Sequence, residues 1–171
     1  MKIVLFFLLA FGTGQILCCL SKNDDKKTPN FNLEELKRLG TVTTYDGKTY
    51  VKFDKDYDYE DMRIKGPKMS SEAASGLCKQ HGGIQVEPKD SATCFHLRDA
   101  FQSSSFYIGI NDKASEGNWV YDSTGEPVTF TKWASAEWEP DSSGNCAVQG
   151  ANGFRYDKGC NESEYHPVCQ F

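Results

Sequence analysis

The spacing of apolar and polar positions changes several times along the chain, and each change predicts a different element. Residues 3–11 form an unbroken apolar run of nine behind the positive Met1-Lys2 start, with small residues at Gly12 and Gly14. This predicts a secretory signal peptide over 1–19, cleaved somewhere between 14 and 20, because the run falls short of the roughly 20 residues a bilayer span requires. Residues 21–30 (SKNDDKKTPN) have no apolar period, so 20–40 reads as a linker. Within it, Asn32 and Glu35 have capping-box spacing, Leu33, Leu36 and Leu39 recur every third residue, and Gly40 ends the series, which predicts a short helix. So short a helix is marginal alone. Two readings stay open: a tether on the domain, or an oligomerising neck through residues 31–39.

The period shortens at residue 41, where a folded domain over 41–171 is expected to begin. Residues 44–53 are rich in Thr, Tyr and Val around Asp46-Gly47, a hairpin signal. The acidic stretch 54–61 invites an EF-hand reading but fails it. The sixth position is Tyr59 where glycine is needed and the twelfth is Lys65 where glutamate is needed, so a solvated edge strand or loop is expected. Two longer helices follow. One is capped by Ser70 or Ser71 and runs through Leu77 to Cys78. The other is capped by Asp90 or Ser91 and places Cys94, Leu97 and Phe101 on one face. Beyond them, the apolar runs 106–110, 118–121 and 128–130 are short and separated by Gly, Asp, Ser and Pro, which predicts short strands and long ordered loops.

Composition narrows the classes of function. Apolar residues make up 39% of the chain and aromatic residues 13%, which excludes global disorder. A formal charge of -5 argues against nucleic acid and anionic membranes as partners, and suits cations, basic partners or neutral sugars. His81, His96 and His166 stand apart without zinc-ligand spacing, and neither a nucleophile elbow nor a phosphate-cradling loop occurs, so no enzyme is expected. Glu139-Pro140-Asp141 draws the eye instead: two oxygen-bearing side chains flank a proline ahead of a cysteine-rich stretch, a way to build a rigid calcium site.

Taken in order, these elements resemble the C-type lectin domain family over roughly 41–171. Tyr107-Ile108-Gly109-Ile110 looks like its core strand, usually Trp-Ile-Gly-Leu. Glu116-Gly117-Asn118-Trp119 and Trp133 look like its two long-loop anchors. Glu139-Pro140-Asp141 occupies the place of its sugar-selecting Glu-Pro-Asn or Gln-Pro-Asp, and Cys146 and Cys160 have the spacing of its loop-closing pair. The resemblance implies an α+β fold of two helices against small antiparallel sheets with a long disulfide-stapled loop, and the bridges Cys78–Cys169 and Cys146–Cys160.

The resemblance also implies a calcium-dependent sugar site. Glu139, Asp141 and Asp157 match its metal ligands, and Asp112 and Glu116 match an auxiliary site. Trp138 and Tyr156 flank the sugar, whose class, mannose-type or galactose-type, the hybrid Glu-Pro-Asp leaves undecided. Two departures weaken the site. Ser142-Ser143-Gly144-Asn145 is shortened where a further glutamate is usual, and Arg155-Tyr156-Asp157 stands where Trp-Asn-Asp is usual, so calcium affinity is expected near 10⁻⁴ to 10⁻³ M, roughly the weak extracellular range. Two functions follow as alternatives: a secreted calcium-dependent glycan-binding lectin of innate recognition, or a calcium-independent interaction module of the same fold binding protein or mineral. Asn161 heads a glycosylation sequon. Cys94, outside both bridges, is expected to be a buried free thiol, with an intermolecular bridge or pairing to Cys18 or Cys19 as alternatives.

Overall fold

Asp46 and Gly47 both take left-handed backbone, with φ of 48° and 72°. This closes β1 (Thr41–Tyr45) onto β2 (Lys48–Lys52) in the register Tyr45↔Lys48. A two-residue turn of this hand matches the right-handed twist of paired strands, which is why the Asp-Gly signal reads correctly. The structure, a computed structural model, describes residues 32–59, 62–64, 66–134 and 144–171. The signal peptide expected over 1–19 and the linker up to residue 31 lie outside the described residues.

The predicted short helix forms as α1 (Leu33–Leu39). The Asn32 side chain accepts the Glu34 and Glu35 N–H groups at 3.1 and 3.4 Å, and the Gly40 N–H closes the other end on the Leu36 carbonyl. Gly40 is confined by its surroundings, since a Cβ there would lie 2.0 Å from the Lys52 carbonyl oxygen. Leu36 is 2% exposed and packs with Val51, Phe53, Cys78 and Cys169. The helix therefore lies on the folded body, stabilised by burial that it lacks in isolation.

The acidic stretch enters a small antiparallel hairpin, β3 (Tyr57–Tyr59) with β4 (Met62–Ile64). Helix α2 (Ser71–Gln80) starts at Ser70, whose hydroxyl accepts the Ala73 N–H. After β5 (Ile84–Gln85), helix α3 (Ser91–Ala100) starts at Asp90. That carboxylate accepts the Thr93 N–H at 2.7 Å and the Thr93 hydroxyl at 2.9 Å. Cys94, Leu97 and Phe101, the predicted inner face, are each 0% exposed. The remaining strands are β6 (Phe106–Asn111), β7 (Val120–Tyr121), β8 (Cys146–Gln149), β9 (Arg155–Lys158) and β10 (Val168–Gln170).

Among the described residues two four-stranded sheets form, ordered β1-β2-β10-β5 and β7-β6-β8-β9. The main core, with Val86, Leu97, Phe101, Phe106, Ile108 and Val168, lies between the helices and these sheets. The fold is thus α+β, with helices against small antiparallel sheets as the sequence implied. The expectation of a strand at 128–130 is not met. Pro127 lacks the N–H a ladder needs, and Val128 instead makes one bond to the Trp119 carbonyl and packs against the core. Two disulfides staple the body, Cys78–Cys169 across 91 positions and Cys146–Cys160 across 14. Loop-closure entropy gives the first about 4 to 5 kcal/mol and the second about 3 kcal/mol.

Candidate functional site

The site residues of the sequence converge on the β8–β9 hairpin, and its register sorts them. Val148 pairs with Tyr156, Ala147 with Asp157 and Gln149 with Arg155. Because successive strand side chains point to opposite faces, Arg155 and Asp157 share the inner face while Tyr156 and Lys158 share the outer one.

On the inner face, Arg155 is fully buried. Its guanidinium donates to the Pro88 carbonyl at 2.6 Å and to the Phe130 carbonyl, and it lies over the Phe130 ring. The backbone around it is equally tied, with the Arg155 N–H on the Lys132 carbonyl and the Ala134 N–H on the Arg155 carbonyl, at 2.8 and 2.9 Å. Arg155 thereby anchors the returning long loop to β9, a role that only these distant partners reveal. The two loop tryptophans meet nearby, Trp119 and Trp133 having ring centroids 4.6 Å apart, and both pack against the main core.

Asp157 sits against the backbone of Gly144. A Cβ at position 144 would lie 1.9 Å from Asp157 Oδ1 and 2.4 Å from its Cγ, so no side chain fits there. The glycine that looked like a departure from the family pattern is therefore a requirement of the packing around this carboxylate. Asp112, at the end of β6, is 1% exposed. One of its oxygens accepts the N–H of Gly117, a glycine at φ 76°, which shapes the following turn. Its other oxygen, Oδ1, is buried without a hydrogen-bond partner among the described residues. A carboxylate oxygen left dry in this way fits a bound cation, since burial of a charged acceptor without compensation is costly. Glu116 is exposed on the same turn.

Trp138, Glu139 and Asp141 lie outside the described residues. Among the described residues no three His, Cys, Asp or Glu side chains gather as a metal cluster. The structure does not bring Tyr156 to Asp157. The Tyr156 hydroxyl accepts from Asn152 Nδ2 at 2.7 Å, and its ring covers Gly150, where a Cβ would come within 2.5 Å of Cε2. Asn161 is exposed on the turn after Cys160. Cys94 is a buried free thiol. Burial pushes its pKa up despite Arg155 and Lys132 nearby, so it is a poor nucleophile at neutral pH.

Sequence reasoning missed Glu87, a buried carboxylate whose two oxygens accept the Ser123 N–H and hydroxyl at 2.9 and 2.8 Å. It also explains the glycine of the core strand. A Cβ at Gly109 would lie 3.0 Å from both the Gln85 carbonyl oxygen and Glu87 Cγ, so the close approach of β5 and β6 needs the bare backbone. No local signal marks Glu87, because its partner is far along the chain.

Comparison with known proteins agrees with this architecture. The chain is 33% identical over 95 residues to a mannose-binding protein of Gallus gallus, a stretch covering 55% of this chain and 37% of that protein. It spans about half or less of the length of the curated relatives it matches. In fold it is similar to the mouse scavenger receptor C-type lectin carbohydrate-recognition domain, with a TM-score of 0.59, 18% identity, and coverage of 77% of this chain and 93% of that one. A calcium-independent type II antifreeze protein has a TM-score of 0.60 at 16% identity, over 77% of this chain and 91% of that one. Residues 67–171 match the family model of the lectin C-type domain. The chain belongs to the C-type lectin domain family.

Proposed function

We propose that this chain is a secreted, calcium-dependent carbohydrate-binding lectin that recognises glycans or microbial surfaces through Glu139, Asp141 and Asp157. The observation that carries this reading is the inner face of β9, where Asp157 lies against the backbone of Gly144, a position stripped of a side chain to make room for the carboxylate. The dry Oδ1 of Asp112 supports an auxiliary cation with Glu116. Calcium, when bound, supplies a Lewis-acid centre for two adjacent sugar hydroxyls. The carboxylates of Glu139, Asp141 and Asp157 would accept hydrogen bonds from those same hydroxyls, and Trp138 would stack on the sugar's apolar side. Tyr156 faces away, so its phenol does not enter this set, and the set stays one amide short of the family pattern. The function is binding and not catalysis. Similarity to a mannose-binding protein makes mannose-type sugars the first class to test and galactose-type the second.

With a dissociation constant near 0.5 mM, 5 mM calcium stabilises by about 1.4 kcal/mol and raises the thermal midpoint by roughly 4 °C. The measurement is thermal unfolding in calcium and in chelator, alongside binding to mannose and galactose resins. Asp157→Ala is expected to erase both the increment and the binding. A midpoint indifferent to calcium while a ligand still binds would establish the second reading, a calcium-independent interaction module for protein or mineral. That reading draws support from the missing amide beside Asp157 and from the likeness in fold to a calcium-independent antifreeze protein.

A further inference from the structure

The outer face of the β8–β9 hairpin holds a cavity of about 430 Å³, lined by Ser105, Val148, Asn152, Tyr156, Lys158 and Tyr165 among others. That volume falls within the range of small-ligand sites, about 300–1,000 Å³. Its floor is apolar, from Val148, and two aromatic rings border it.

Both rings are held in place before any ligand arrives. The Tyr156 hydroxyl accepts from Asn152 Nδ2, and the Asn152 Oδ1 is itself taken by the Phe154 N–H at 3.0 Å. Tyr165 meets the Tyr107 ring edge-on, with centroids 5.0 Å apart and planes at 82°. The Tyr107 hydroxyl in turn sits 2.5 and 3.2 Å from the Gly159 and Glu162 carbonyls, which pins the turn beneath. Rings fixed in this way lose little freedom on binding.

The polar groups of the cavity are unbalanced. With its acceptor side occupied by Asn152, the Tyr156 hydroxyl keeps its own proton to donate. Ser105 and Tyr165 add hydroxyls, and burial together with Glu162 and Glu164 pushes the Tyr165 phenol's pKa up, so it too remains a donor at neutral pH. Lys158 is the one formal charge in the lining, and among the described residues no ion pair forms at its ammonium. No carboxylate lines the cavity. Glu162 and Glu164 stand on the exposed turn outside the lining and their charge reaches Tyr165, so an anion is favoured only at the Lys158 and Tyr156 end of the cavity. A donor-rich, singly positive, aromatic-walled cavity calls for a ligand with a flat apolar ring face and surplus anionic acceptors.

We infer that this cavity is a second, calcium-independent ligand site that takes an acidic sugar, a pyranose bearing a carboxylate or a sulfate ester, with the anion on Lys158 and Tyr156. It shares no side chain with the calcium-site residues on the inner face, and it does not rest on that reading.

The test is calorimetry and saturation-transfer NMR on the full protein in chelator, with three probes. These are a glucuronate–N-acetylglucosamine disaccharide, a sulfated chondroitin disaccharide and neutral N-acetyllactosamine. An acidic probe should bind, the two arms distinguishing carboxylate from sulfate, and the neutral probe should bind at least about tenfold more weakly. Lys158→Gln should weaken the acidic probe about tenfold or more, as expected for loss of a charge-assisted bond, and Tyr156→Phe by a smaller factor. On the unmodified protein, amide shift changes should centre on residues 105, 148–152 and 156–158, which keeps the proposal testable should a variant fold poorly. No acidic-sugar binding in chelator, equal binding of the neutral probe, or shifts confined elsewhere would overturn it. Binding that appears only with calcium would place the sugar on the inner face, leaving the calcium reading intact and this one refuted.

Discussion

The two faces of the β8–β9 hairpin share one backbone and differ in their chemistry. The inner face carries a fully buried guanidinium that spans two segments and a carboxylate pressed on bare backbone. The outer face carries a tyrosine and a lysine that border an open cavity. Residues 155 to 158 alternate between these two environments because the side-chain period of a strand is two. Neighbours in sequence are thus strangers in space: Tyr156 and Asp157 look like one site when read along the chain and occupy opposite surfaces when folded. The inner face depends on long-range anchors, whereas the outer face is organised by local bonds within the 150–156 turn and by the Tyr107–Tyr165 pair.

That contrast can be broken most forcefully at Arg155. Arg155→Ala leaves the Pro88 and Phe130 carbonyls without their donor and opens a cavity under the long loop, so a loss of about 4 kcal/mol is expected from urea unfolding. A loss under about 1 kcal/mol would mean that the loop is held by other contacts and that the inner face has no special anchor. A smaller, more selective effect is expected at Gly144. The added methyl of Gly144→Ala collides with the Asp157 carboxylate, costing about 2 kcal/mol and removing the calcium-induced rise in thermal midpoint, while the cavity around Tyr156 keeps its ligand affinity. Unchanged calcium dependence in that variant would separate Asp157 from the metal.

The mildest perturbation acts through α3, whose first turn supports the inner face. Asp90→Ala removes the cap on Thr93 and should cost about 1 kcal/mol. The hydrogen bond from the Thr93 N–H holds the Asp90 carboxyl below its usual pKa. The cap's contribution is therefore fully present above the unfolded carboxyl pKa of about 3.9 and is lost as pH falls through the lower folded value. The stability gap between wild type and variant should accordingly narrow below about pH 4, as followed by urea midpoints at several pH values. A gap that stays constant into strong acid would show that the cap acts without its charge.

Much of the fold was legible because its signals are local. The caps at Asn32, Ser70 and Asp90, the Asp46-Gly47 turn and the Cys94-Leu97-Phe101 face each involve residues within a turn or two of one another. The residue types of the proposed site came from the family resemblance, which pointed to Asp157 and Asp112 as ligands for the proposed cation. Their environments were not legible. That Gly144 makes room for Asp157, that Leu36 completes a core cluster with Cys78 and Cys169, and that Glu87 clasps Ser123 all depend on contacts between residues well separated along the chain.

By itself the sequence determined the three helices, the Asp46-Gly47 hairpin, the core strand at 106–110 and the family resemblance, because apolar period, capping chemistry and turn residues act over short range and are written in consecutive positions. Only the tertiary structure decided that Arg155 is a buried strut on the Pro88 and Phe130 carbonyls, and that Tyr156 turns its back on Asp157. Both outcomes follow from strand pairing. Once β9 docks on β8, the pleat assigns each residue to a face, and which groups wait on that face is a matter of the fold and not of the neighbouring letters.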